Sequence, residues 1–218
     1  MVQKGCIAAL VSGGIESAYL LQHVVARGVR VQPLYVAQGY RWERIERRWL
    51  RRLLRHWPRR QVAPLVVLET PITSFVGQHW ALGHGRVPGA RTPDQAMALP
   101  GRNLWLFTAA GLWCARHGIH RIAHGTLATN PFPDASADFF RGMRDVLSRA
   151  LGCRFRLEAP LRHLTKAEII QRLPPALLRC TFSCINPQRG RHCGRCNKCA
   201  ERQRAFRLAS VPDLTRYA

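Results

Sequence analysis

The sequence lacks the features that would direct it into a membrane or a secretory pathway. No apolar run approaches the roughly 18 residues of a membrane-spanning helix. The apolar segment near the N-terminus is only as long as a strand and has no signal-peptide cleavage pattern. We therefore expect a cytoplasmic protein with no membrane partner. Disorder is also excluded, because 47% of the 218 residues are hydrophobic and can form an ordinary core.

Acidic residues and lysine are both scarce. Only 12 acidic residues accompany 34 basic ones, and of the basic residues only Lys4, Lys166 and Lys198 are lysine. A net charge of +22 is typical of nucleic-acid-binding proteins, but a bias towards arginine also fits an arginine-rich proteome. The densest basic segment, 41–57, has apolar residues at helical spacing. We favour a core-packed helix with a solvated arginine face there, and a nucleic-acid-binding surface is the alternative.

Strand and helix patterns alternate over the first two-thirds of the chain. Apolar runs predict strands at 7–11, 31–36, 62–69, 121–124 and 155–158. Amphipathic patterns predict helices at 17–27, 42–57, 103–117 and 135–151. Because parallel strands need such long crossovers, we expect an α/β fold with a doubly wound, mostly parallel, Rossmann-like sheet. This domain would span residues 1–160, and residues 161–218 would form a small C-terminal lobe.

The segment between the third strand and the third helix has no regular period. Glycine and proline recur throughout residues 70–102 and are expected to interrupt any regular element. A loop of this length in a compact domain is usually functional. We therefore interpret residues 70–102 as a lid or substrate loop.

The first predicted strand leads into a serine- and glycine-rich turn that opens a helix. Ser12-Gly13-Gly14-Ile15-Glu16-Ser17 directly follows the apolar run that ends at Val11. The glycines let the backbone come close to an anion, and the first N–H groups of a helix bind one. No Lys-Ser or Lys-Thr pair follows the second glycine, so the turn is not a Walker A loop. We interpret it as a phosphate-binding turn, and a strand-to-helix turn without a ligand is the alternative.

Four of the eight cysteines lie close together near the C-terminus: Cys184, Cys193, Cys196 and Cys199. Two CxxC steps in series with a fourth cysteine supply the thiolates of a structural Zn²⁺ site, and an iron–sulfur cluster is the alternative. Cys180 and His192 are close enough in sequence to be substitute ligands. The other cysteines are expected to be small buried hydrophobic residues: Cys6, Cys114 and Cys153.

A capping box precedes the C-terminal lobe. In Thr165-Lys166-Ala167-Glu168, threonine would cap the helix and Glu168 would reach back to it. Lys166 would then lie in the first turn of the helix, where a cation is unfavourable unless an anion is nearby.

Together these motifs resemble the 7-cyano-7-deazaguanine synthase (QueC) family of PP-loop ATP pyrophosphatases. The turn at 12–17 is similar to the family's SGGxDS motif, with Glu16 in place of Asp. Four further segments are similar to its PGRN, glycine-to-PD, PL...DKAE and zinc-binding segments: Pro100-Gly101-Arg102-Asn103, Gly125 with Pro133-Asp134, Leu161 with Thr165-Lys166-Ala167-Glu168, and the four cysteines. The resemblance covers nearly the whole chain.

The resemblance implies an ATP-dependent ligase that adenylates 7-carboxy-7-deazaguanine and uses ammonia to form the nitrile. Its implied cofactors are ATP, structural Zn²⁺ and Mg²⁺, and its substrates are a small-molecule carboxylate and ammonia. Arg102 and Lys166 would neutralise phosphates or the substrate carboxylate. Asp134 would accept hydrogen bonds from a guanine-like edge, and Glu16 would orient Mg²⁺ or a loop amide. The implied ATP-binding residues are Val11, Ser12, Gly13, Gly14, Ile15, Glu16, Ser17, Gly101, Arg102 and Gly125.

Two segments depart from the family pattern. The nearest counterpart of its DYGQRH segment is 35–41, which lacks the acid, and its acidic residues after the strand-ending glycine appear as Ala128 and Asn130. Since acids there suit the donor edge of a guanine ring, a QueC-like ligase for a different carboxylate is one alternative. A PP-loop tRNA-thiolation enzyme, which would need a catalytic cysteine pair outside the zinc site, and a non-catalytic nucleic-acid-binding zinc module are others. The sequence leaves open whether the chain forms a homodimer.

Overall fold

The centre of the protein is a five-stranded sheet in which every pairing is parallel. A computed structural model describes residues 5–99, 101–127 and 129–218, so Pro100 of the PGRN segment and Ala128 lie outside the described residues. The strands are β1 Cys6–Leu10, β2 Arg30–Ala37, β3 Val66–Glu69, β4 Arg121–Ala123 and β5 Arg156–Glu158. Their order, β3-β2-β1-β4-β5, is that of a doubly wound sheet. The predicted fold class is confirmed.

Helices cover both faces of the sheet and form the C-terminal region. They are α1 Ile15–Ala26, α2 Glu43–Leu54, α3 Thr73–Val76, α4 Arg102–Arg116, α5 Ala137–Ala150, α6 Lys166–Arg172, α7 Pro175–Leu178 and α8 Asn197–Ala209. Three short 3₁₀ turns lie at Trp80–Leu82, Asp94–Met97 and Pro133–Ala135. Among the residues described, no helix has both the length and the apolar character to cross a membrane.

All the strands and helices predicted from periodicity are present, with two differences in extent. The third strand begins at Val66 rather than at Val62, which makes only an isolated bridge to Val31. Pro64 lies between them and cannot donate a ladder hydrogen bond. The segment 70–102 is not wholly irregular, because it contains α3 and two 3₁₀ turns, each limited to about one turn by the flanking glycines and prolines.

The two sides of β1 enter different hydrophobic clusters, as the two-residue period of a strand requires. Ile7 and Ala9 pack on the side of α1, α6 and α8, whereas Cys6 and Ala8 pack on the side of α4 and α5. The first cluster also includes Phe206 of α8. The core therefore joins residues from both predicted domains, and the boundary at residue 160 stays a prediction.

The arginine-rich segment forms α2, and its buried face includes more residues than the apolar spacing indicated. Leu50 and Leu53 are fully buried, whereas Ile45 and Trp49 are only partly buried. Glu43 and Glu46 share the buried face of the helix. The exposed side chains on the opposite side are mostly arginine: Arg44, Arg48, Arg51, Arg52 and Arg55. The predicted exposure of the arginine face is confirmed, and the choice between a solvated and a nucleic-acid-binding face stays a prediction. The buried acidic pair was not predicted.

Candidate active site

A cavity of about 670 Å³ opens beyond the carboxyl ends of β1, β2 and β4. This is where doubly wound sheets bind ligands, because the loops that follow the strands converge there. Most of the residues predicted for the site line it: Val11, Ser12, Gly14, Glu16, Ser17, Arg102, Gly125 and Lys166. Gly13 and Ile15 lie within the same turn but do not line the cavity. Gly101, at the start of α4, does not line it either.

The turn between β1 and α1 is held in a defined shape by its own serines and by the C-terminal region. The Ser12 N–H donates to the Ser17 Oγ at 2.9 Å, and the two hydroxyl oxygens are 3.4 Å apart. The Phe182 N–H donates to the Gly13 carbonyl at 2.7 Å. The first helical bond of α1 runs from Ala18 to Gly14, so the preceding N–H groups remain available to an anion.

Close approach favours glycine at three positions around this turn, most strongly at Gly13 and Gly125, where the neighbouring atoms are backbone or Cβ atoms. Gly13 has a φ of +85°, and a Cβ there would lie 3.2 Å from the Leu50 Cβ and 3.3 Å from its Cα. A Cβ on Gly14 would lie 3.3 Å from the Glu16 Oε2, and one on Gly125 would lie 3.2 Å from the Glu16 Cβ. These contacts explain why the end of β4 can pack directly against the start of α1.

Lys166 joins the turn to the C-terminal region through a network of ion pairs. Its Nζ lies 2.9 Å from the Glu16 Oε1 and also contacts the Glu201 carboxylate. Lys198 donates to the other oxygen of Glu201 at 2.7 Å. Burial lowers the pKa of Lys166, but the two carboxylates more than offset this and raise it. Burial raises the pKa of Glu201, but Lys166 and Lys198 outweigh it and lower this pKa to about 2.

This network supplies the anion that the position of Lys166 in a first helical turn requires. It also means that Lys166 orients Glu16 and is already paired before any ligand arrives. Glu201 and Lys198 were not predicted. In the sequence, the only signal for this pair is their spacing of three residues on α8. The same spacing also occurs on solvated helix surfaces.

Replacing Lys166 with methionine should destabilise the fold, because Glu16 and Glu201 would lose a cation while staying mostly buried. We expect a loss of about 1–3 kcal/mol at pH 7. Glu201 has a depressed pKa, so its stabilisation is complete above its ordinary value of 4.5 and is lost as the pH falls towards 2. The difference between wild type and variant in urea unfolding should therefore shrink at pH 3.5. A difference in unfolding free energy that does not change with pH would contradict this. Lys198→Met is the control: it removes a cation from Glu201 alone, so it should lower the unfolding free energy by less.

Arg102 lies at the start of α4 with an unsatisfied donor. Its Nε is buried without a hydrogen-bond partner among the described residues, and its guanidinium carbon lies 5.7 Å from the centre of the Tyr40 ring. A buried donor without a partner is costly, and a guanidinium is suited to a phosphate or carboxylate. Its position on the cavity wall agrees with an anion-binding role.

Asp134 lies at the same helix end but makes a different contact. Its Oδ2 accepts a hydrogen bond from the Asn103 N–H at 2.9 Å, and its carbonyl accepts one from the Asn103 Nδ2 at 2.9 Å. Asp134 therefore stabilises the N-terminus of α4, and it is not among the residues that line the cavity. Its role towards a substrate stays a prediction.

An acidic pair on α2 forms a part of the cavity wall that the sequence did not indicate. The Glu46 Oε2 accepts a hydrogen bond of 2.6 Å from the Tyr35 hydroxyl. The two oxygens of Glu43 accept bonds from the backbone N–H groups of Gln38, at 2.7 Å, and Gly39, at 3.1 Å. Burial raises the pKa of Glu46 to about 7, although the Tyr35 bond and the Arg102 charge lower it. The available signal was the spacing of Glu43 and Glu46 in register with Leu50 and Leu53.

An aromatic stack joins this wall to the segment 70–102. The Tyr40 and Trp42 rings are stacked with centres 4.9 Å apart, and Trp42 stacks on Trp80 at 5.8 Å. Asn197 of α8 fastens the same segment through a backbone bond to the Pro88 carbonyl at 3.0 Å and a side-chain bond to the Thr92 carbonyl at 2.7 Å. The segment is thus packed between the cavity and the cysteine-containing region, and its action as a lid stays a prediction.

The four C-terminal cysteines form a buried cluster whose sulfur atoms all lie within 4.8 Å of one another. The Cys184 and Cys196 sulfurs are 3.9 Å apart, as are those of Cys193 and Cys199. Four sulfurs arranged tetrahedrally at about 2.3 Å from Zn²⁺ would be separated by about 3.8 Å. The Cys184 Sγ also accepts backbone N–H bonds from Asn186 and Cys193, which suits a thiolate. The cluster therefore fits a tetrahedral metal ion.

The substitute ligands considered from the sequence are not part of this cluster. The Cys180 Sγ lies 4.0 Å from the His56 Nε2, and the His192 Nε2 accepts a bond from the Ser183 N–H at 3.3 Å. Cys6 and Cys114 are buried in the second hydrophobic cluster, and Cys153 packs against it. The expected buried hydrophobic role is confirmed for Cys6 and Cys114, whereas Cys153 is only partly buried.

Known proteins resemble this chain over almost its full length. The family model described as queuosine biosynthesis protein QueC matches residues 6–210. A 7-cyano-7-deazaguanine synthase of Myxococcus xanthus is 31% identical over 100% of this chain and 98% of its own. The enzyme of that name from Anaeromyxobacter dehalogenans is 32% identical over 96% and 94%. A solved structure described as a predicted subunit of tRNA methyltransferase from Methanocaldococcus jannaschii matches with a TM-score of 0.50 and 11% identity, over 77% of this chain and 73% of that one. This last likeness concerns the fold alone.

Proposed function

Because this chain belongs to the QueC family of queuosine biosynthesis proteins, we propose that it is an ATP-dependent ligase that converts 7-carboxy-7-deazaguanine and ammonia into 7-cyano-7-deazaguanine. The observation that carries the proposal is the anion-binding turn 12–17 at the mouth of a cavity lined by Arg102. The full-length similarity to named synthases supports the same activity.

The geometry suits the activation of a carboxylate. A carboxylate does not react with ammonia until one of its oxygens becomes a good leaving group, and adenylation provides one by expelling pyrophosphate from ATP. The helix N–H groups and the hydroxyls of Ser12 and Ser17 would bind the departing phosphates, and Arg102 would neutralise their charge. Ammonia then displaces AMP to give an amide, and the amide is dehydrated to the nitrile. The enzyme's contribution is mainly positioning and charge stabilisation, so no covalent nucleophile is needed.

The four-cysteine cluster is best explained as a structural Zn²⁺ site. Four thiolates fill a tetrahedral coordination sphere and leave no position for a substrate. The cluster also follows directly after Phe182 and Ser183, which line the cavity, and Phe182 is hydrogen-bonded to the turn. The bound metal would supply folding free energy to this region and so keep the turn in place.

The remaining expectations stay predictions. The Glu16 Oε1 is paired with Lys166, and the role of Glu16 towards Mg²⁺ stays a prediction. Ammonia as the nitrogen source, a homodimeric state and a cytoplasmic location are also untested. We still favour a solvated arginine face on α2, and a nucleic-acid partner for it is the alternative.

A ligase of the same type that acts on a different carboxylate is the second candidate. Asn130 lines the cavity, and by the resemblance it stands where the family has an acid. An amide can both donate and accept, so it would suit a different edge of the substrate. A tRNA-thiolation enzyme is less well supported, since no cysteine among the described residues lines the cavity.

The decisive experiment incubates the purified protein with ATP, ammonium and 7-carboxy-7-deazaguanine. We expect the nitrile, AMP and pyrophosphate by mass spectrometry, and none of them when ATP is omitted. AMP production that depends on another carboxylate, with no nitrile from this one, would favour the second candidate. The absence of AMP with every carboxylate tested would contradict both.

A further inference from the structure

We propose that Glu46 is the general base of the amidation, the group that takes the proton from the attacking nitrogen. This role rests on the proposed function. In the step, the nitrogen lone pair forms a bond to the acyl carbon, and the carbon–oxygen bond to AMP breaks, with its electron pair leaving on AMP. The nitrogen becomes positively charged and loses a proton to the Glu46 carboxylate, which leaves the neutral amide. The protonated Glu46 then returns its proton to solvent.

The contacts of Glu46 leave one oxygen free for this purpose. Its Oε2 accepts the Tyr35 hydroxyl, whereas no hydrogen bond from the described residues reaches Oε1. Glu43, one turn earlier on α2, differs because both of its oxygens accept backbone N–H groups. Glu43 therefore fixes the chain between β2 and α2, and Glu46 is the member of the pair that can exchange a proton with a ligand.

The position of Glu46 matches the site of the reaction. It lines the same cavity as the turn 12–17 and Arg102, so an acid activated at that turn would lie within the same enclosed space. Only 8% of the residue is exposed, and this limits competition from bulk water. A general base must first be within reach of the reacting group and then have a suitable proton affinity.

The charges around Glu46 hold its proton affinity near neutrality. Tyr35 from β2, Glu43 from α2 and Arg102 from α4 act on its carboxyl group. Burial and Glu43 raise its pKa, and Tyr35 and Arg102 lower it, with the result at about 7. Near this pH the group is present in both protonation states, so it can accept a proton and release it again within each turnover.

The test separates amidation from adenylation. With ammonium as the nucleophile, Glu46→Gln should lower nitrile formation by about 10²–10⁴-fold. With hydroxylamine, which is largely uncharged at neutral pH and attacks adenylates without enzymatic help, the variant should still form the hydroxamate at a rate within a few-fold of wild type. Equal losses with both nucleophiles would show a structural role and overturn the proposal, as would full activity with ammonium.

A pH profile gives an independent readout. Divided by the concentration of free ammonia, which itself rises with pH as ammonium loses its proton, the wild-type rate should rise with pH through about 7 as Glu46 ionises, and Glu46→Gln should lack this limb of the profile. Tyr35→Phe removes the hydrogen bond that lowers the pKa of Glu46, so the rate of this variant should rise at a higher pH than that of the wild type. Glu43→Gln is the matched control; it should lower stability and keep the limb, moved to lower pH because the Glu43 charge raises the pKa of Glu46. A limb that persists in Glu46→Gln would overturn the proposal, whereas a wild type that makes no nitrile at all would overturn the proposed function first.

Discussion

Replacement of Cys196 with serine is expected to release the metal and to unfold the region that the four cysteines hold together. A neutral hydroxyl is a poor ligand for Zn²⁺, and structural sites of this kind bind with apparent free energies of about 10–16 kcal/mol in small peptides. The sulfur atoms of the cluster are also part of its hydrophobic core, beside Phe182 and Ile185. Elemental analysis should therefore find less zinc in the variant than in the wild type, and the variant should unfold at a lower temperature.

The effect should extend to the cavity. Phe182, two residues before Cys184, donates the hydrogen bond that supports the Gly13 carbonyl, so disorder of this region would release one side of the turn. Cys153→Ser is the appropriate control, because Cys153 lies outside the cluster and is only partly buried. The control should keep its metal and its activity. An unchanged metal content in Cys196→Ser would show that the cluster does not bind the metal as proposed.

Replacement of Ser12 with alanine is expected to lower pyrophosphate release by about 10²–10³-fold, the cost of removing one positioned donor from a charge-stabilising site. The Ser12 hydroxyl makes only long contacts within the protein, 3.4 Å to the Ser17 Oγ and 3.5 Å to the Gly14 nitrogen. Little stability depends on it, so the melting temperature should stay close to that of wild type. Pyrophosphate release and thermal unfolding of the same preparation measure both effects.

The choice of variant follows from the structure of the turn. Gly13→Ala would also be inactive, but its positive φ and the contact with Leu50 would disturb the backbone, and the loss of activity could not be ascribed to phosphate binding. Ser74→Ala, on an exposed position of α3, controls for the loss of a serine hydroxyl elsewhere and should keep full activity. Rapid pyrophosphate release by Ser12→Ala would exclude the hydroxyl from the role assigned to it.

Local patterns were sufficient to predict most of the fold. The apolar runs and the amphipathic spacings located every strand of the sheet, because side-chain periodicity is a property of consecutive residues. The glycines of the turn and the spacing of the four cysteines located the turn at the cavity and the cysteine cluster for the same reason. The predicted start of the third strand was wrong: the strand begins at Val66 rather than at Val62, because Pro64 cannot donate a ladder hydrogen bond.

The partners of the charged residues could not be predicted in this way. Glu16, Lys166 and Glu201 come from three helices that are distant in sequence, and only the packing of α6 against α1 and α8 brings them together. Similarly, Asp134 was assigned to the substrate by analogy, whereas the structure shows it bonded to Asn103 at the start of α4. A sequence motif specifies that a charge is present but not what it contacts.

The sequence by itself determined the parallel α/β architecture, the serine- and glycine-rich turn and the set of four cysteines, because each is encoded by residues that are adjacent or a few positions apart. Only the tertiary structure decided that the arginine-rich helix turns two carboxylates inward, and that one of them keeps an oxygen to which no described residue donates a hydrogen bond. The reason is that burial and pKa depend on every element packed around a side chain. For Glu46, those elements are β2, α2 and α4, which meet only in the folded chain.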